Sequence, residues 1–393
     1  MSRGLGDVYK RQIMNKLKIA LVKQEVYQDL YVCPVTEKDP GQILFSSMGR
    51  VGPIALMSDL NADFYIVKEE SNKETRIYQK VIPHIAPYLH LLKTETLDKI
   101  PGQEFKSPGS PYPNGKYAVS CYTIDWGQYD IVISINISLP TQLILKYPQT
   151  LFAYMIGEAN MATGKARFGY DATLNQMARG RISHKCGAID FPYTFVAKDT
   201  LEKIMQQYLG RPSARKGIFM EINSTTERPV TRIPDHFQPL ADAGYEIILH
   251  QQKIADNLKN IYDAKYFVKM GGRSIRGNSV AEAVSLGTLA IMNRDEVIHH
   301  ELIIDECNVK TMDEMISLIN RLENDPELYR TLQQKQRQVL HTYFFDAPLQ
   351  SLINCLKEKR GLSKPRTYSR WNRLFDNLYF CLLYTSPSPR DTR

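Results

Sequence analysis

The sequence predicts an α/β protein with two doubly wound parallel-sheet domains, followed by helices at the C-terminal end. The chain has 393 residues, which is enough for two domains of ordinary size. Short apolar runs rich in β-branched residues alternate with helix-like segments, a pattern typical of parallel sheets covered on both faces. Gly210, Pro212 and several basic residues interrupt this alternation. We therefore place a linker at 196–216, between domains at 13–195 and 217–356.

The first domain is predicted from four apolar runs. They place strands at 17–22, 63–67, 129–135 and 151–155. Helices are expected over 141–146 and 171–179 in this domain and over 199–208 in the linker, and a glycine-containing loop at 46–53 is expected to lead into another short helix. Residues 101–116 hold four prolines and three glycines, and they are predicted to form a loop.

The second domain repeats the alternation more clearly. Strands are predicted at 217–222, 245–250, 266–269 and 288–292, with helices at 237–243, 254–262 and 278–287. Thr311 and Glu314 have the spacing of a capping box at the start of the next helix. Asp325 and Pro326 are expected to begin another helix, with proline at its first position.

The two ends of the chain are predicted to be foreign to the protein. Residues 2–12 read SRGLGDVYKRQ and residues 381–391 read CLLYTSPSPRD. One DNA string encodes the second segment, and its reverse complement encodes the first, which is typical of a sequencing adaptor translated at both ends of a metagenomic read. We therefore predict that residues 1–12 and 381–393 form no part of the fold, and we expect the natural chain to continue past Phe380.

The charge is concentrated at the ends of the chain. The formal net charge is +8, of which the two foreign segments carry +3 and residues 357–380 carry +5, so that residues 13–356 are neutral. A neutral body gives no support to a nucleic-acid-binding domain, and we expect no nucleic-acid partner.

The composition excludes other classes. No run of about 18 apolar residues occurs, and no apolar stretch follows a basic N-terminus, so we expect a cytoplasmic protein. The six cysteines lie far apart without a CxxC pair, which excludes a disulfide framework and a zinc ribbon.

The segment at 271–287, GGRSIRGNSVAEAVSLG, is the strongest candidate for chemistry. Its glycines allow a tight turn, and Asn278 or Ser279 can cap a helix that begins near Gly277. The free N–H groups at such a helix start bind phosphate. Arg273 and Arg276 can supply charged contacts to a diphosphate. Glu282 lies one turn into the helix, away from its apolar face, where it can accept hydrogen bonds from a ribose. A glycine-rich turn with a solvent-facing glutamate is the alternative.

The stretch GNSVAEAVSLGTLAI resembles the donor-binding segment of GT-B glycosyltransferases. The resemblance implies two Rossmann-like domains facing a cleft, with a nucleotide sugar bound to the second domain as a substrate and no separate cofactor. Some retaining members carry two glutamates eight residues apart. Such a pair would need a glutamate at 274, where this chain has Ser274, so only Glu282 carries over. Retaining or inverting stereochemistry stays open.

Two loops match the same resemblance more weakly. The loop SMGRVG contains Gly49, Arg50 and Gly52 and could approach the diphosphate or the acceptor across the cleft. Arg228 follows the first strand of the second domain, at the ligand edge of an open α/β sheet, and is a diphosphate candidate. An ordinary turn and a solvated arginine are the alternatives.

The catalytic base has three weak candidates. Glu158, Asp171 and His184 lie in the stretch between the domains, where an acceptor would bind, although each also fits a structural or surface role. His299 and His300 lack further ligands, and no Asp-x-Asp, HExxH, GxSxG or true P-loop motif occurs, so we expect no metal site.

We therefore predict a metal-independent, hexosyltransferase-type glycosyltransferase. Its acceptor is an unknown glycan, lipid or small molecule, as in surface polysaccharide biosynthesis. The alternatives are a nucleotide-sugar epimerase of the same fold and a non-catalytic binding protein.

The tail at 357–380 is basic, and residues 371–379 place five apolar and aromatic side chains on one helix face: Trp371, Leu374, Phe375, Leu378 and Tyr379. This face could contact the inner face of a membrane through 366–380, or pack on the first domain.

Overall fold

The computed structural model describes residues 17–24, 32–36, 39–45, 62–67, 89–92, 124–135, 139, 141–156, 170–175, 189–190, 202, 205–206, 209–210, 214–221, 230–251, 254–271, 274–275 and 277–364. The segments at 1–12 and 381–393 lie outside these residues, as do the tail at 366–380 and the loop at 46–53.

The first domain is built on a seven-stranded parallel sheet. In chain order the strands of this half are β1 Ile19–Gln24, β2 Val32–Thr36, β3 Asp39–Phe45, β4 Asp63–Val67, β5 Leu89–Leu92, β6 Ile131–Ile135, β7 Leu151–Ile156, β8 Ala172–Asn175 and β9 Ile189–Asp190. The sheet has the order β5-β4-β1-β6-β7-β8-β9, and β2 and β3 form a separate antiparallel pair. The strand order reverses between β1 and β6, as in a doubly wound fold.

Both faces of this sheet are buried. Ile19 and Leu21 of β1 belong to one hydrophobic cluster, whereas Ala20 and Val22 of the same strand belong to another. Successive side chains of a strand point to opposite faces, so each face has its own apolar layer. This is why the strands read as continuous apolar runs in the sequence.

The second domain is built on a four-stranded parallel sheet. Its strands are β10 Ile218–Met220, β11 Ile247–Ile248, β12 Tyr266–Lys269 and β13 Leu289–Met292. Their order is β11-β10-β12-β13, so the strand order reverses between β10 and β12. The prediction of two parallel α/β sheets is confirmed.

Seven α-helices have complete bounds among the described residues. They are α1 Thr141–Leu145, α2 Gln238–Asp242, α3 Ile254–Asp263, α4 Asn278–Ser285, α5 Met312–Asn324, α6 Pro326–His341 and α7 Ala347–Arg360. The capping box is confirmed, because Thr311 Oγ1 accepts from the Glu314 N–H and Glu314 Oε2 accepts from the Thr311 N–H. Asp325 caps α6, with Pro326 at its first position, as expected.

One helix prediction is wrong. Residues 172–175 of the expected helix at 171–179 form β8, which pairs in parallel with β7. The Ala172 and Leu174 side chains are buried against the rest of the sheet, so tertiary packing overrides a local pattern that fits a helix. The strands β2, β3, β5 and β9 were not predicted.

The last described helix joins the two halves of the chain. The domain boundary drawn at 356 falls inside α7, which continues to Arg360. Lys359 Nζ donates to the Thr150 carbonyl and to Asp171 Oδ2, and Arg360 pairs with Asp130. These last residues of α7 therefore belong to a packed helix that contacts the first sheet.

The linker also packs against the second domain. Glu202 forms an ion pair with Arg337 of α6. Arg215 donates to the Leu286 carbonyl and to Thr288 Oγ1, just before β13. Residues 202, 205–206 and 209 are helical, in agreement with the helix expected at 199–208.

Candidate functional site

The carboxyl edge of the second sheet is the place where its topology favours a ligand. Open α/β sheets bind ligands beyond the carboxyl ends of their strands, at the point where the strand order reverses. In this sheet the reversal lies between β10 and β12. Glu221 follows β10, and Lys269 is the last residue of β12.

Three buried ionisable side chains form a row along this edge. Phe219 pairs with Ile248, and Met220 pairs with Val268. Extending the register by one or two residues brings His250, Glu221 and Lys269 level on three adjacent strands. Their side chains are 5%, 7% and 0% exposed, respectively. Burying such groups is unfavourable unless they are paired, so a row of them at a ligand edge marks a candidate site.

The His250 end of the row is held by neighbouring polar groups. His250 Nε2 lies 3.9 Å from Glu221 Oε1. The Asn257 side chain contacts His250 Nδ1 at 3.1 Å, and its Oδ1 accepts from the Gln251 N–H. These contacts fix the imidazole beside Glu221 at the end of β10.

The Lys269 end of the row supports the glycine loop that the sequence singled out. Lys269 Nζ lies 2.7 Å from Glu296 Oε2 and donates to the Gly271 carbonyl at 2.5 Å. Glu296 Oε1 accepts from the Gly271 N–H at 3.0 Å. Gly271 has a φ of 71°, in the left-handed region that favours glycine.

A second position in this segment, Gly277, also favours glycine. Gly277 has a φ of 103°, and a Cβ built on it would lie 2.9 Å from Val297 Cγ1. Both the backbone conformation and the close approach to Val297 therefore select glycine. The turn aims the chain into α4.

Helix α4 begins directly after a glycine in the left-handed conformation. Gly277 is the N-cap, and its carbonyl accepts the first helical bond, from the Ala281 N–H. Asn278 is the first helical residue, so the expected cap by Asn278 or Ser279 is replaced by Gly277. Gly277 has no side chain that could cap the helix. Free N–H groups and the helix dipole together favour an anion here.

Glu282 lies as the sequence predicted. It is half-buried one turn into α4, while Val280, Ala281, Ala283 and Val284 are buried in the core. Glu282 is therefore more exposed than the apolar residues on either side of it.

Several sequence-predicted site residues lie outside the described residues. They are Gly49, Arg50, Gly52, Glu158, His184, Arg228, Arg273 and Arg276. For Asn278 the structure describes the backbone. Their roles remain predictions.

Asp171 lies at the amino edge of the first sheet. It precedes β8, at the amino ends of the strands, with Thr150 before β7 and Asp130 before β6. Asp171 Oδ2 accepts from the Phe152 N–H at 2.8 Å and pairs with Lys359 at 2.8 Å. The geometry favours a structural role for Asp171 in place of the catalytic role expected from the sequence.

A second polar cluster lies at the same amino edge. Asp63 Oδ1 lies 2.9 Å from His90 Nε2, and Tyr129 donates to Asp63 Oδ2 at 2.6 Å. The Tyr65 and Tyr129 hydroxyl oxygens are 2.6 Å apart. Burial raises the pKa of Tyr129, and its hydrogen bond to Asp63 raises it further. This cluster satisfies polar groups at the strand starts, opposite the carboxyl edge.

The sequence reasoning missed the ionisable row. His250 and Lys269 were included in predicted strands, although each ends an apolar run with a charged or titratable residue. That abrupt change was the available signal. Glu296 had no such signal, because it lies 27 residues from Lys269 in a 3₁₀ turn. Within the described residues, no group of three or more His, Cys, Asp or Glu side chains is placed to hold a metal ion.

No family model matches the chain. No curated protein matches it either. Among solved structures, the chain is similar to T4 phage BGT, a mutant solved in complex with UDP-glucose, at 13% identity and a TM-score of 0.39, covering 88% of this chain and 100% of that one. It is also similar to sucrose-phosphate synthase from Thermosynechococcus elongatus, at 14% identity and a TM-score of 0.44, covering 87% and 99%.

A third similar structure is a putative UDP-N-acetylglucosamine 2-epimerase from Listeria monocytogenes, at 12% identity and a TM-score of 0.41, covering 90% of this chain and 100% of that one. At these TM-scores the similarity carries no argument about function. The function proposed below therefore rests on the residues of this chain.

Proposed function

We propose that the protein is a glycosyltransferase that binds a nucleotide-sugar donor at the carboxyl edge of the second sheet. The observation that carries the proposal is the start of α4, which has Gly277 as its N-cap and follows β12 at the switch point of the sheet. The resemblance of the sequence at 277–291 to a donor-binding segment agrees with this placement.

The donor diphosphate is the part of the substrate that this edge suits best. The N–H groups of α4 and the positive end of its dipole would stabilise the phosphate charge. Arg228, Arg273 and Arg276 would add charged hydrogen bonds. Glu282 would accept hydrogen bonds from the ribose hydroxyls.

The reaction needs charge stabilisation at the leaving group. A bond forms between the acceptor oxygen and the anomeric carbon, and the bond from that carbon to the diphosphate oxygen breaks. The nucleoside diphosphate leaves with the bonding electrons, and its growing charge would be held by donors fixed in place before the reaction. The acceptor proton passes to a base, for which Glu158 and His184 remain the candidates in an inverting enzyme.

A screen of purified protein tests the proposal. UDP, GDP, ADP and dTDP would each be tested for thermal stabilisation, followed by their hexose conjugates. We expect one nucleoside diphosphate to raise the melting temperature, because a ligand that binds only the folded state stabilises it. No stabilisation by any of them would contradict the donor site.

The products separate a transferase from an epimerase. A transferase releases the nucleoside diphosphate, whereas an epimerase inverts a sugar carbon, which proton NMR of the donor detects. We expect release of the nucleoside diphosphate to persist in EDTA, since metal independence is part of the proposal. Loss of release in EDTA and its recovery with Mn²⁺ would overturn that part alone.

The proposal extends to peripheral membrane contact through 366–380. No helix among the described residues is both long and apolar enough to span a bilayer. The basic tail and its aromatic face would instead lie at an anionic surface. Because α7 runs to Arg360, the comparison is between chains 13–380 and 13–364. Only the longer chain should sediment with anionic vesicles, and equal sedimentation would contradict the contact.

A further inference from the structure

The ion pair between Lys269 and Glu296 is unusual for its position at the end of a core strand. The Lys269 side chain is 0% exposed and that of Glu296 is 16% exposed. The residue in register with Lys269 on β13 is Met292, which is apolar and buried. Apolar residues of similar volume often replace a buried ion pair without loss of stability. Filling the core therefore does not explain these two charges.

The pair holds both polar groups of one glycine. The Gly271 N–H donates to Glu296 Oε1 at 3.0 Å, and the Gly271 carbonyl accepts from Lys269 Nζ at 2.5 Å. The glycine has a φ of 71°. Lys269 and Glu296 thus fix the point at which the chain leaves β12 for the loop.

Glu296 also holds the far side of the loop through its backbone. Its carbonyl accepts from the Ile275 N–H at 2.8 Å, and the Ile275 carbonyl accepts from the Ile298 N–H at 2.9 Å. One residue therefore fastens both Gly271 and Ile275. Two residues later comes Gly277, where an added Cβ would lie 2.9 Å from Val297 Cγ1. Ile275 is therefore held by the backbone of the segment at 296–298.

We propose that Lys269 and Glu296 are positioning residues that hold Gly271 and Ile275, before α4, in place for diphosphate binding before the donor arrives. This inference rests on the proposed function. The two side chains hold the backbone at Gly271, and the Glu296 backbone holds that at Ile275. Because this backbone is already fixed, it does not have to be ordered when the diphosphate binds. Interactions fixed before binding give higher affinity than those that must be ordered on binding.

The test replaces both charges together, so that neither is left buried alone. The Lys269→Met/Glu296→Leu variant keeps the side-chain volumes and removes the contacts to Gly271. Calorimetry would measure its affinity for UDP and for inorganic pyrophosphate, beside its melting temperature. We expect the variant to fold and to bind both ligands about tenfold more weakly, because the loop loses its fixed form.

Two further variants separate positioning from general stability. Lys335→Met/Glu306→Leu makes the same change at a half-exposed ion pair on the surface, and it should leave pyrophosphate affinity unchanged. Glu296→Gln keeps an oxygen that can accept from the Gly271 N–H, so it should recover part of the affinity lost in the double variant. A purely structural role would affect the melting temperature and leave the affinity of the folded protein unaltered.

A folded double variant that binds pyrophosphate within about twofold of the unaltered protein would overturn the positioning role, while the donor site would stand. Unaltered protein that binds neither UDP nor pyrophosphate would instead overturn the proposed function, and the positioning role with it. The two failures differ because the second appears without any substitution.

Discussion

Lys359 Nζ lies 2.8 Å from Asp171 Oδ2, although the two residues are 188 positions apart in the sequence. The lysine is on the last turn of α7, and the aspartate immediately precedes β8 of the first sheet. Their side chains are 12% and 5% exposed. This buried contact joins the C-terminal helix to the amino edge of the first domain.

Breaking this contact should destabilise the fold. In Lys359→Met the apolar stem stays, but Asp171 loses its cation while it remains buried. Removing one partner of a buried pair is strongly unfavourable, and we expect a loss of about 2–3 kcal/mol in the free energy of unfolding. Urea denaturation measures it.

The matched control for Lys359→Met is Arg330→Met. Arg330 pairs with Glu327 on the surface of α6, where both side chains are mostly exposed. Solvent screens such a pair, so the loss should stay below about 0.5 kcal/mol. Equal effects of the two substitutions would contradict the structural role of Lys359.

Substitution of Gly277 should reduce stability for two reasons, the left-handed backbone conformation and the close approach of a new Cβ to Val297. In Gly277→Ala the left-handed φ and the overlap with Val297 act together, and we expect a loss of about 2–3 kcal/mol. Gly244 is the control, because its φ is 89° and a Cβ there would meet nothing within 4 Å. Gly244→Ala should cost about 1 kcal/mol from the backbone alone.

The added substitution Val297→Ala tests the overlap at Gly277 directly. It should recover part of the stability lost in Gly277→Ala, because it removes the atom that the new Cβ meets. If Gly277→Ala were no more harmful than Gly244→Ala, the close approach would play no part.

Loss of the Glu282 carboxylate should weaken donor binding without unfolding the protein. We expect Glu282→Ala and Arg276→Ala each to reduce nucleotide-sugar affinity by about 1–3 kcal/mol, as expected for a charged hydrogen bond. Glu327→Ala, on the exposed side of α6, is the control. Calorimetric titration measures the affinity, and unchanged values in both variants would remove the donor assignment.

Stability should fall in alkaline solution because of Cys307. Burial, with a smaller contribution from the Glu306 carboxylate, raises the pKa of this thiol to about 12. In the unfolded chain the thiol ionises near its usual pKa of about 8.5. The neutral thiol therefore contributes stability below about pH 8.5, and this contribution is lost as the pH rises towards 12.

The Cys307→Ala variant isolates this contribution. Between pH 8 and 10.5 the unaltered protein should lose about 2 kcal/mol more stability than the variant, as measured by urea denaturation at each pH. Buried tyrosines such as Tyr329, whose pKa burial raises to about 12, add the same slope to both proteins. Identical pH dependence in the two would show that Cys307 is not the cause.

The strands of the two sheets were largely predictable, for a physical reason. Strands β4 and β12 match the predicted 63–67 and 266–269 to the residue. Both belong to parallel sheets whose strands are enclosed by other elements, so each reads as a compact apolar run. Strand β8 could not be predicted in this way, because its four residues also fit a helix and pairing with β7 decides the outcome.

The sequence alone determined the local features of the candidate site. The glycines of the loop, the start of α4 near Gly277 and the partly exposed position of Glu282 follow from spacing along one segment of chain. Such patterns depend on neighbours within a few residues, which the sequence displays directly.

Only the tertiary structure decided which charged groups meet. The register of three strands brings His250, Glu221 and Lys269 level, and the turn after β13 brings Glu296 under the loop. In the same way the strand directions place Asp171 at the amino edge, beside Lys359 and away from the ligand edge. Sheet order and register arise from contacts distant in sequence, so composition and spacing could not specify them.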